Sequence, residues 1–284
     1  DAPLVIHTLD IEFRPVFDPH DMNSLNADGL ILTFKSNSSN YSYAKVDRNG
    51  DVTETAEKKA ISNNACVGIY GFKKGSDFCK YARDMIKRDI RTKNEFYISP
   101  LYNLLVEDGK RIITEPVEKM HVFGTPDEFH FYKDNVIKRL GDKPIAICSD
   151  HSGFHAKETL KLILQKYNLE YIDFGTVLNV DCDYRDYISQ AVKAIDEKDC
   201  DYAFGFCRTG QGVNICANKY HGIRSALIYD EFAMEMSIRH NCANFFSIPA
   251  RGIMSEKLDK YIQICMENTF DGGRHQIRIQ ELEK

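Results

Sequence analysis

The sequence predicts an α/β protein of two domains, the second of which contains a parallel sheet covered by helices on both faces. Three observations lead to this class. The chain has 284 residues, a length that corresponds to roughly two domains. From residue 143 onward, short apolar runs alternate with helical patterns, as in repeated strand–helix units. A polar segment that ends in Gly141-Asp142 separates this region from a first half without that alternation.

The first half, residues 1–135, is predicted to be an α/β domain that contains several strands. The predicted strands are Pro3–Leu9, Gly29–Lys35, Tyr41–Val46, Val52–Ala56, Val67–Phe72 and Gly109–Val117. Asn49-Gly50 stands between two alternating runs and predicts a hairpin. The predicted helices are Gly75–Asp89, a helix or loop at Glu95–Leu104, and a helix that Thr125 caps and Pro126 begins.

The second half, residues 143–284, follows a linker at 136–142 and alternates strands with helices. The predicted strands are Pro144–Cys148, Glu170–Phe174, Tyr202–Phe206, Arg224–Ile228 and Asn244–Ile248. The predicted helices are Phe154–Tyr167, Tyr184–Lys198, Gly212–Asn218, Glu231–His240 and Ser255–Thr269, with a basic last segment at Gly273–Glu283. This order predicts a Rossmann-like, three-layer α/β/α domain. Ligands of such folds bind at the carboxyl ends of the strands.

Composition places the chain among ordinary globular proteins and excludes several classes of partner. Apolar residues make up 43% of the sequence and charged residues 28%, as in a soluble domain. The net charge of −5 argues against nucleic acid or an anionic membrane as the main partner, and no apolar run spans a bilayer. The nine cysteines include no CxxC pair, so we expect reduced thiols and a cytoplasmic location. Because the chain starts at Asp1, we expect a processed or excised piece.

One stretch carries most of the chemistry, Ala203–Lys219 with the sequence AFGFCRTGQGVNICANK. An apolar run ends in Cys207, a turn with Gly210 and Gly212 follows, and then a helix. Such a loop directs several backbone N–H groups at one spot, which suits an anion and favours ionisation of a nearby thiol. The stretch therefore offers a thiolate base or nucleophile beside an oxyanion hole. A buried free cysteine before an ordinary turn is equally compatible with the string.

Ligands of open parallel sheets bind at the carboxyl ends of the strands, so we expect further polar residues near this loop. Asp150-His151 follows the first strand of the second half, and Cys207 to Gly210 follows the third. His240-Asn241 ends a helix before the fifth strand, and we expect it near the same site. Each histidine alone is also typical of a surface or core position. The remaining cysteines of the second half are assigned to packing or surface: Cys148, Cys182, Cys200, Cys216, Cys242 and Cys265.

A first resemblance covers nearly all of residues 1–133. The strings AEKKAISNNACVGIYGFKKGSDF, NEFYISPLYN and FGTPDEF resemble the C-terminal part of a sugar-1-phosphate nucleotidyltransferase, which implies a partial GT-A-like domain. In that family an Asp at a strand end holds Mg²⁺ and a Lys contacts a sugar phosphate. By resemblance these are Asp10 and Lys58. Carboxylate oxygen suits a hard cation, and lysine suits phosphate.

Two departures from that family limit what the first half is expected to do. The Gly-rich nucleotide loop is absent, and Val122 and Phe123 stand where many members carry a second metal Asp. Mg²⁺ is therefore expected only if the transferase part is complete, with Asp10 as the one metal candidate. The alternatives are a truncated lobe for structure or sugar-phosphate recognition, a transferase whose loop lies upstream of Asp1, and ordinary solvated charges at Asp10 and Lys58.

A second resemblance covers residues 143–284. The strings SDHSGFHAKETL, IDFGT, CRTGQGVNICANK, GIRSAL, HNCANFFSIPAR and FDGGRHQIR resemble the B-type ribose-5-phosphate isomerases and the galactose-6-phosphate isomerase subunits. The resemblance implies an aldose–ketose isomerase that acts on a sugar phosphate through a cis-enediol and needs no cofactor. It also implies a homodimer or homotetramer, because the active site of that family lies between two subunits and the His-Asn and Arg-pair segments reach across.

The resemblance also implies a role for each site residue. By resemblance Cys207 is the base, Thr209 lies close to the reacting carbons, and the backbone N–H groups of the loop Arg208–Gly212, with Gly210 in it, stabilise the enediolate. Asp150 and His240 open the sugar ring, and Asn241 orients a hydroxyl. The residues that bind phosphate are His151, Arg274 and Arg278, with Arg251 as a weaker candidate. Arg274 and Arg278 are four residues apart, so a helix places both guanidinium groups on one face. Arg forks suit phosphate oxygens.

One departure leaves the substrate open. The family usually has glycine where this chain has Arg208, and a side chain there can narrow the anion hole, recruit an anionic end of the substrate or disable the loop. We expect a pentose 5-phosphate, most simply ribose 5-phosphate. The alternatives are a hexose-6-phosphate isomerase of the galactose or allose type, a bifunctional or degenerate nucleotidyltransferase, and a non-catalytic sugar-phosphate-binding protein.

Overall fold

The computed structural model describes residues 1–8, 10–15 and 21–282. Leu9, the predicted end of the first strand, and Glu283, the predicted end of the basic segment, lie outside the described residues. The chain divides into two compact units, Asp1–Phe129 with Asp271–Gln276, and His130–Phe270 with Ile277–Lys284. The predicted linker at 136–142 therefore falls inside the second unit. No helix in the described part of the chain is long and apolar enough to cross a membrane.

The first unit contains a mixed sheet. Its strands are β1 (Leu4–His7), β2 (Ile11–Pro15), β3 (Gly29–Lys35), β4 (Tyr43–Val46), β5 (Val52–Ala56), β6 (Asn64–Phe72) and β7 (Ile112–Val122). The strand order is β2-β7-β3-β6-β4-β5, and β1 pairs with β6. β3 and β7 run parallel, and the other pairs that the structure describes are antiparallel. The helices α1 (Gly75–Lys87) and α2 (Leu101–Glu107) pack on one face, and α3 (Pro126–Phe131) follows β7.

In the first unit the predicted hairpin and the predicted last helix are confirmed. One strand was missed, and one helix starts later than predicted. β4 and β5 pair with Val46 opposite Val52, as the turn dipeptide predicts. The Thr125 hydroxyl accepts the Glu128 N–H at 3.3 Å, so Thr125 caps α3. β2 was not predicted. α2 starts only after Pro100, because a residue that precedes proline is disfavoured in helical conformation.

The second unit contains a parallel sheet of five strands. They are β8 (Ile145–Ser149), β9 (Tyr171–Asp173), β10 (Ala203–Cys207), β11 (Ser225–Leu227) and β12 (Phe245–Pro249), in the order β11-β12-β10-β8-β9. The helices are α4 (Phe154–Lys166), α5 (Tyr184–Asp196), α6 (Gln211–Ala217), α7 (Glu231–Arg239), α8 (Ser255–Glu267) and α9 (Arg274–Leu282). The predicted strands and helices of this half are confirmed, with ends that differ by at most two residues within the described chain.

The two faces of this sheet are buried under different helices, which gives the three layers that were predicted. Alternate residues of a strand point to opposite faces. In β10, Phe204 and Phe206 join the apolar cluster under α4, α7 and α8. Ala203 and Cys207 join the cluster under α5 and α6. The side of the sheet on which Cys207 lies is therefore set by strand alternation.

Candidate active site

Cys207 is the last residue of β10, at the carboxyl edge of the sheet. Its carbonyl accepts the Ala250 N–H at 2.9 Å, which fixes the strand end against the segment that follows β12. Its side chain is only 6% exposed and belongs to the apolar cluster that includes Cys148 and Val213. The thiol thus lies at the predicted end of the strand, but most of it is covered by the chain itself.

Asp150 follows β8, the strand that pairs directly with β10, and it is 6% exposed. Its Oδ1 accepts the Gly153 N–H at 2.9 Å and thereby caps the short turn His151–Gly153. Burial raises the pKa of the Asp150 carboxyl above its ordinary value, and the hydrogen bond from Gly153 opposes this shift. The group is therefore easier to keep protonated than an exposed aspartate.

The turn that carries Asp150 is packed tightly against the end of β10. A Cβ at Gly153 would lie 2.6 Å from both the Cβ and the carbonyl oxygen of Phe206. The Asp150 N–H donates to the same carbonyl oxygen at 3.4 Å. Only a residue without a side chain allows this approach, so Asp150 and Cys207 are brought to neighbouring strand ends by a glycine.

His151 is held by a loop from another part of the second unit. Its Nδ1 accepts the Cys182 backbone N–H at 3.2 Å, which holds the ring against this loop. The Asp181 carboxylate lies 3.4 Å from the same Nδ1. About one third of the His151 side chain is exposed. The other ring nitrogen, Nε2, lies 3.2 Å from Ser152 Oγ.

The loop after Cys207 has the geometry of a tight turn into α6. Gly210 has a left-handed backbone at φ 72°, and a Cβ there would lie 3.0 Å from the Pro249 nitrogen, so both conformation and space require glycine. The Thr209 hydroxyl accepts the Gln211 N–H at 3.4 Å. Gly212 is packed against the Tyr184 ring, 3.1 Å from an added Cβ. Close packing thus accounts for Gly212 without a substrate.

Arg208 occupies ordinary backbone, because it is absent from the positive-φ residues of the described chain. Its side chain is exposed and forms no hydrogen bond or ion pair with another described residue. Its carbonyl accepts the Arg251 N–H at 3.2 Å, which brings the two loops together beyond the strand ends. The arginine therefore neither strains the loop nor fills the buried interior beneath Cys207.

His240 and Asn241 lie at the opposite edge of the sheet from Cys207. α7 leaves the carboxyl end of β11 and runs back to the amino edge, where β12 begins. The four residue steps of β12 separate the two edges by about 13 Å. The expectation that His240-Asn241 joins Asp150 and Cys207 is wrong within one chain, because a helix between parallel strands must end where the next strand starts.

A known protein family matches the second half of the chain. A profile of the Ribose/Galactose Isomerase family matches residues 145–282. The chain is 31% identical over 140 residues to ribose-5-phosphate isomerase B of Escherichia coli, with 49% of this chain and 94% of that protein covered. Ribose-5-P isomerase B of Listeria innocua is 31% identical over 140 residues, with 49% and 95% covered. The chain belongs to the ribose/galactose isomerase family.

A solved structure also matches this half of the chain. The crystal structure of a ribose 5-phosphate isomerase from Thermotoga maritima is 36% identical and covers 50% of this chain and 98% of its own, with a TM-score of 0.49. The family profile begins at residue 145, so it gives no information about residues 1–129 of the first unit.

The predicted phosphate pair of the family lies on the last described helix. Arg274 and Arg278 are both on α9, four residues apart, and both side chains are exposed. The shared helix face is therefore confirmed. Arg274 falls in the first unit and Arg278 in the second.

A separate cleft of about 900 Å³ lies in the first unit and is lined by both Asp10 and Lys58. Lys58 has a left-handed backbone at φ 55°, and its Nζ donates to the Tyr97 hydroxyl at 3.2 Å. Among the residues described, no three His, Cys, Asp or Glu side chains are grouped to hold a metal ion. Mg²⁺ is commonly bound by one or two carboxylates together with substrate phosphates, so Mg²⁺ at Asp10 stays a prediction that depends on a complete transferase part.

Sequence reasoning missed one contact in the isomerase unit. Cys182 was assigned to packing or surface, yet its backbone N–H orients the His151 ring. A backbone amide contributes no residue-type signal, so a motif search cannot find it. The spacing between the two residues, 31 positions apart, becomes meaningful only once the sheet is built.

Proposed function

We propose that the second unit interconverts an aldose phosphate and its ketose, with ribose 5-phosphate as substrate. Family membership supports a sugar-phosphate isomerase, and two relatives carry names that specify ribose 5-phosphate. The observation that carries the proposal is the placement of Asp150 and Cys207 at adjacent strand ends, joined by the Gly153–Phe206 contact. The unit thus offers an acid and a thiol at the edge where α/β sheets bind ligands.

The chemistry is a proton transfer between neighbouring carbons. The Cys207 thiolate takes the proton from C2 of the open-chain aldose, and the electron pair of that bond forms a cis-enediolate. The O2 hydroxyl proton then moves to O1, and return of the first proton from the Cys207 thiol to C1 gives the ketose and restores the thiolate. N–H groups of the loop Arg208–Gly212 stabilise the oxygen that becomes negative, and the Thr209 hydroxyl lies beside the reacting carbons. The near-complete burial of Cys207 limits water around the thiolate.

Ring opening precedes the proton transfer. Asp150 handles the ring hydroxyl, and its raised pKa, caused by burial, makes the protonated carboxyl easier to form than in an exposed aspartate. His151 binds the phosphate through Nε2, with Arg251 as a weaker candidate, and Arg274 and Arg278 reach the same phosphate from a second copy of the chain. These steps use only side chains of the chain, so the proposal includes no metal ion or cofactor.

We place the remaining site residues in a second copy of the chain. His240 and Asn241 lie about 13 Å or more from Cys207 across the sheet, which is too far for both to contact one sugar. A symmetric homodimer, alone or within a tetramer, would bring the amino edge of one copy to the carboxyl edge of the other. His240 would then assist ring opening and Asn241 orient a hydroxyl. We propose that this assembly acts in the cytoplasm.

The proposal is tested by an isomerase assay on ribose 5-phosphate, allose 6-phosphate and galactose 6-phosphate, with deuterium incorporation from D₂O as the second readout. Cys207→Ala should lower turnover and exchange by about 10²–10⁴-fold, as loss of a general base does. The control is Cys216→Ala, a half-buried thiol on α6 that should leave both readouts unchanged. Exchange that persists in Cys207→Ala would show that the base is another group. Turnover of the hexose 6-phosphates without turnover of ribose 5-phosphate would show that the substrate is a hexose 6-phosphate.

The first unit has a second candidate function, sugar-phosphate binding in its cleft. The observation that favours it is that Asp10 and Lys58 line one cleft although they are 48 positions apart. Lys58 also holds a left-handed backbone, a conformation that non-glycine residues keep mainly where the surroundings demand it. Titration calorimetry with a sugar 1-phosphate should give binding that Lys58→Met abolishes. Lys59→Met, on the exposed neighbour, should leave it intact. Equal affinity in both variants would remove this candidate.

A further inference from the structure

A lysine that no catalytic step uses is completely buried beside the active site. Lys157, on α4, has a side chain that is 1% exposed. Its Nζ donates to Asp173 Oδ2 at 2.5 Å and to Glu158 Oε1 at 2.9 Å. An ion pair taken out of water costs desolvation free energy, and it is weak evidence of stabilisation. Stability alone therefore does not explain why a buried ion pair lies at this place.

Asp173 uses its second oxygen to hold the segment that follows β9. Asp173 Oδ1 accepts the Gly175 N–H at 2.9 Å, while Oδ2 binds the lysine. The main chain at Gly175 is wedged in place, because a Cβ there would lie 2.6 Å from Lys157 Cδ and 2.7 Å from the Ser149 nitrogen. The next residue, Thr176, donates its N–H to the Ser149 carbonyl at 3.0 Å. The ion pair thus fixes a segment that lies directly on Ser149.

Both site residues after β8 depend on that segment. Ser149 immediately precedes Asp150, and its backbone is clamped between β10 and the Gly175–Thr176 segment. The same loop continues to Cys182, whose N–H binds His151 Nδ1. A shift of the main chain at Gly175, where this loop begins, therefore moves Asp150 through Ser149 and moves His151 through Cys182.

We propose that the buried Lys157–Asp173 pair is a positioning unit that aligns Asp150 and His151 for catalysis. Neither side chain touches the substrate. The pair acts by holding the loop origin against Ser149. The proposal rests on the proposed isomerase function.

The chain provides a matched control for this idea. Lys161 binds the same Asp173 Oδ2 at 3.1 Å and also binds Glu158, but it is one quarter exposed, and the atom nearest to a Cβ added at Gly175 belongs to Lys157. Lys161→Met removes a positive charge from the same carboxylate and keeps the contact between the Lys157 stem and Gly175. Lys157→Met removes the charge and changes that contact, and it leaves Lys161 as a partner for Asp173. Lys157→Arg keeps the charge and the stem.

The experiment is steady-state kinetics of the full chain on its isomerase substrate, with melting temperatures of all variants. Lys157→Met should lower kcat by about tenfold or more while the protein remains folded at the assay temperature, since small misplacements of reacting groups have effects of this size. KM should change less than kcat. Lys161→Met should stay within about twofold of wild type, and Lys157→Arg should regain most of the lost kcat.

Equal kcat in Lys157→Met and Lys161→Met would overturn the positioning role, as would a loss of activity that only follows the unfolded fraction. If Lys157→Met does not fold, Asp173→Asn serves instead, because it keeps the shape and the Gly175 acceptor but weakens the pair. Wild-type kcat in that variant would also overturn the proposal. Failure of the isomerase function itself is separate, because the wild-type chain would then show no turnover.

Discussion

Substituting Gly153 with alanine should damage catalysis more than it damages the fold. The residue has φ −92°, which alanine adopts freely, so the effect is steric. The new methyl group would lie 2.6 Å from the Cβ and the carbonyl oxygen of Phe206, about 1 Å inside ordinary contact. Overpacking of this kind costs about 1–3 kcal/mol. For a unit of this size the melting temperature should fall by about 2–12 °C.

The turn cannot relax without moving Asp150, because Gly153 donates its N–H to both the carboxylate and the carbonyl oxygen of that residue, at 2.9 and 3.1 Å. A displacement of about 1 Å at a reacting group costs up to about 100-fold in rate. We therefore expect Gly153→Ala to lower kcat/KM by about 10–100-fold, measured with ribose 5-phosphate and thermal unfolding by circular dichroism.

Gly222→Ala is the control for this experiment. Gly222 lies before β11 at the amino edge, has φ 73°, and has no atom within 4 Å of an added Cβ. Left-handed backbone should cost this variant about 1–2 kcal/mol with no loss of activity. Full activity in Gly153→Ala, or equal losses in both variants, would refute the reasoning that the turn sets Asp150.

Three further predictions concern single side chains of the second unit. Because burial raises the pKa of Asp150, the native state holds this proton more tightly than the unfolded chain does. As the pH rises from the unfolded pKa to the higher native pKa, ionisation of this carboxyl lowers the free energy of unfolding. Asp150→Asn should therefore melt higher than wild type at neutral pH, a difference that disappears below the ordinary value of 3.8, and it should lack ring-opening activity. Asp230→Ala removes the 2.7 Å hydrogen bond that caps α7, and thermal unfolding should show a loss of about 1 kcal/mol at unchanged kcat. Arg208→Gly should raise KM for the preferred sugar phosphate by about tenfold, as loss of one charged hydrogen bond does, and an unchanged KM across the substrates would exclude Arg208 from binding.

Much of the second unit could be predicted from sequence because each of its strands and helices has a local signal. Apolar runs of about five residues mark the strands, and the glycine turn after Cys207 marks the start of α6. The carboxyl-edge rule then places Asp150 and Cys207 correctly. Within one chain His240-Asn241 lies at the other edge of the sheet, because a helix that follows a parallel strand ends where the next strand begins, and its approach from a second copy stays a prediction.

Long-range contacts set the limit of sequence reasoning. Lys157 lies on the buried face of α4 with Leu160 and Leu164, but a lysine in the sequence does not show whether its amine is buried or solvated. β2 was missed because it is short and ends in proline, and its register with β7 shifts at Pro15. Asp10 and Lys58 come to one cleft only through the antiparallel pairing of the first unit.

A subunit-mixing experiment tests the central claim that Cys207 and His240 act on one sugar from two copies of the chain. Cys207→Ala and His240→Ala should each be inactive. After mixing and re-association in equal amounts, half of the dimers are hybrids and one of their two sites is intact, so activity should return to about one quarter of wild type. A mixture that stays as inactive as its components would contradict the claim.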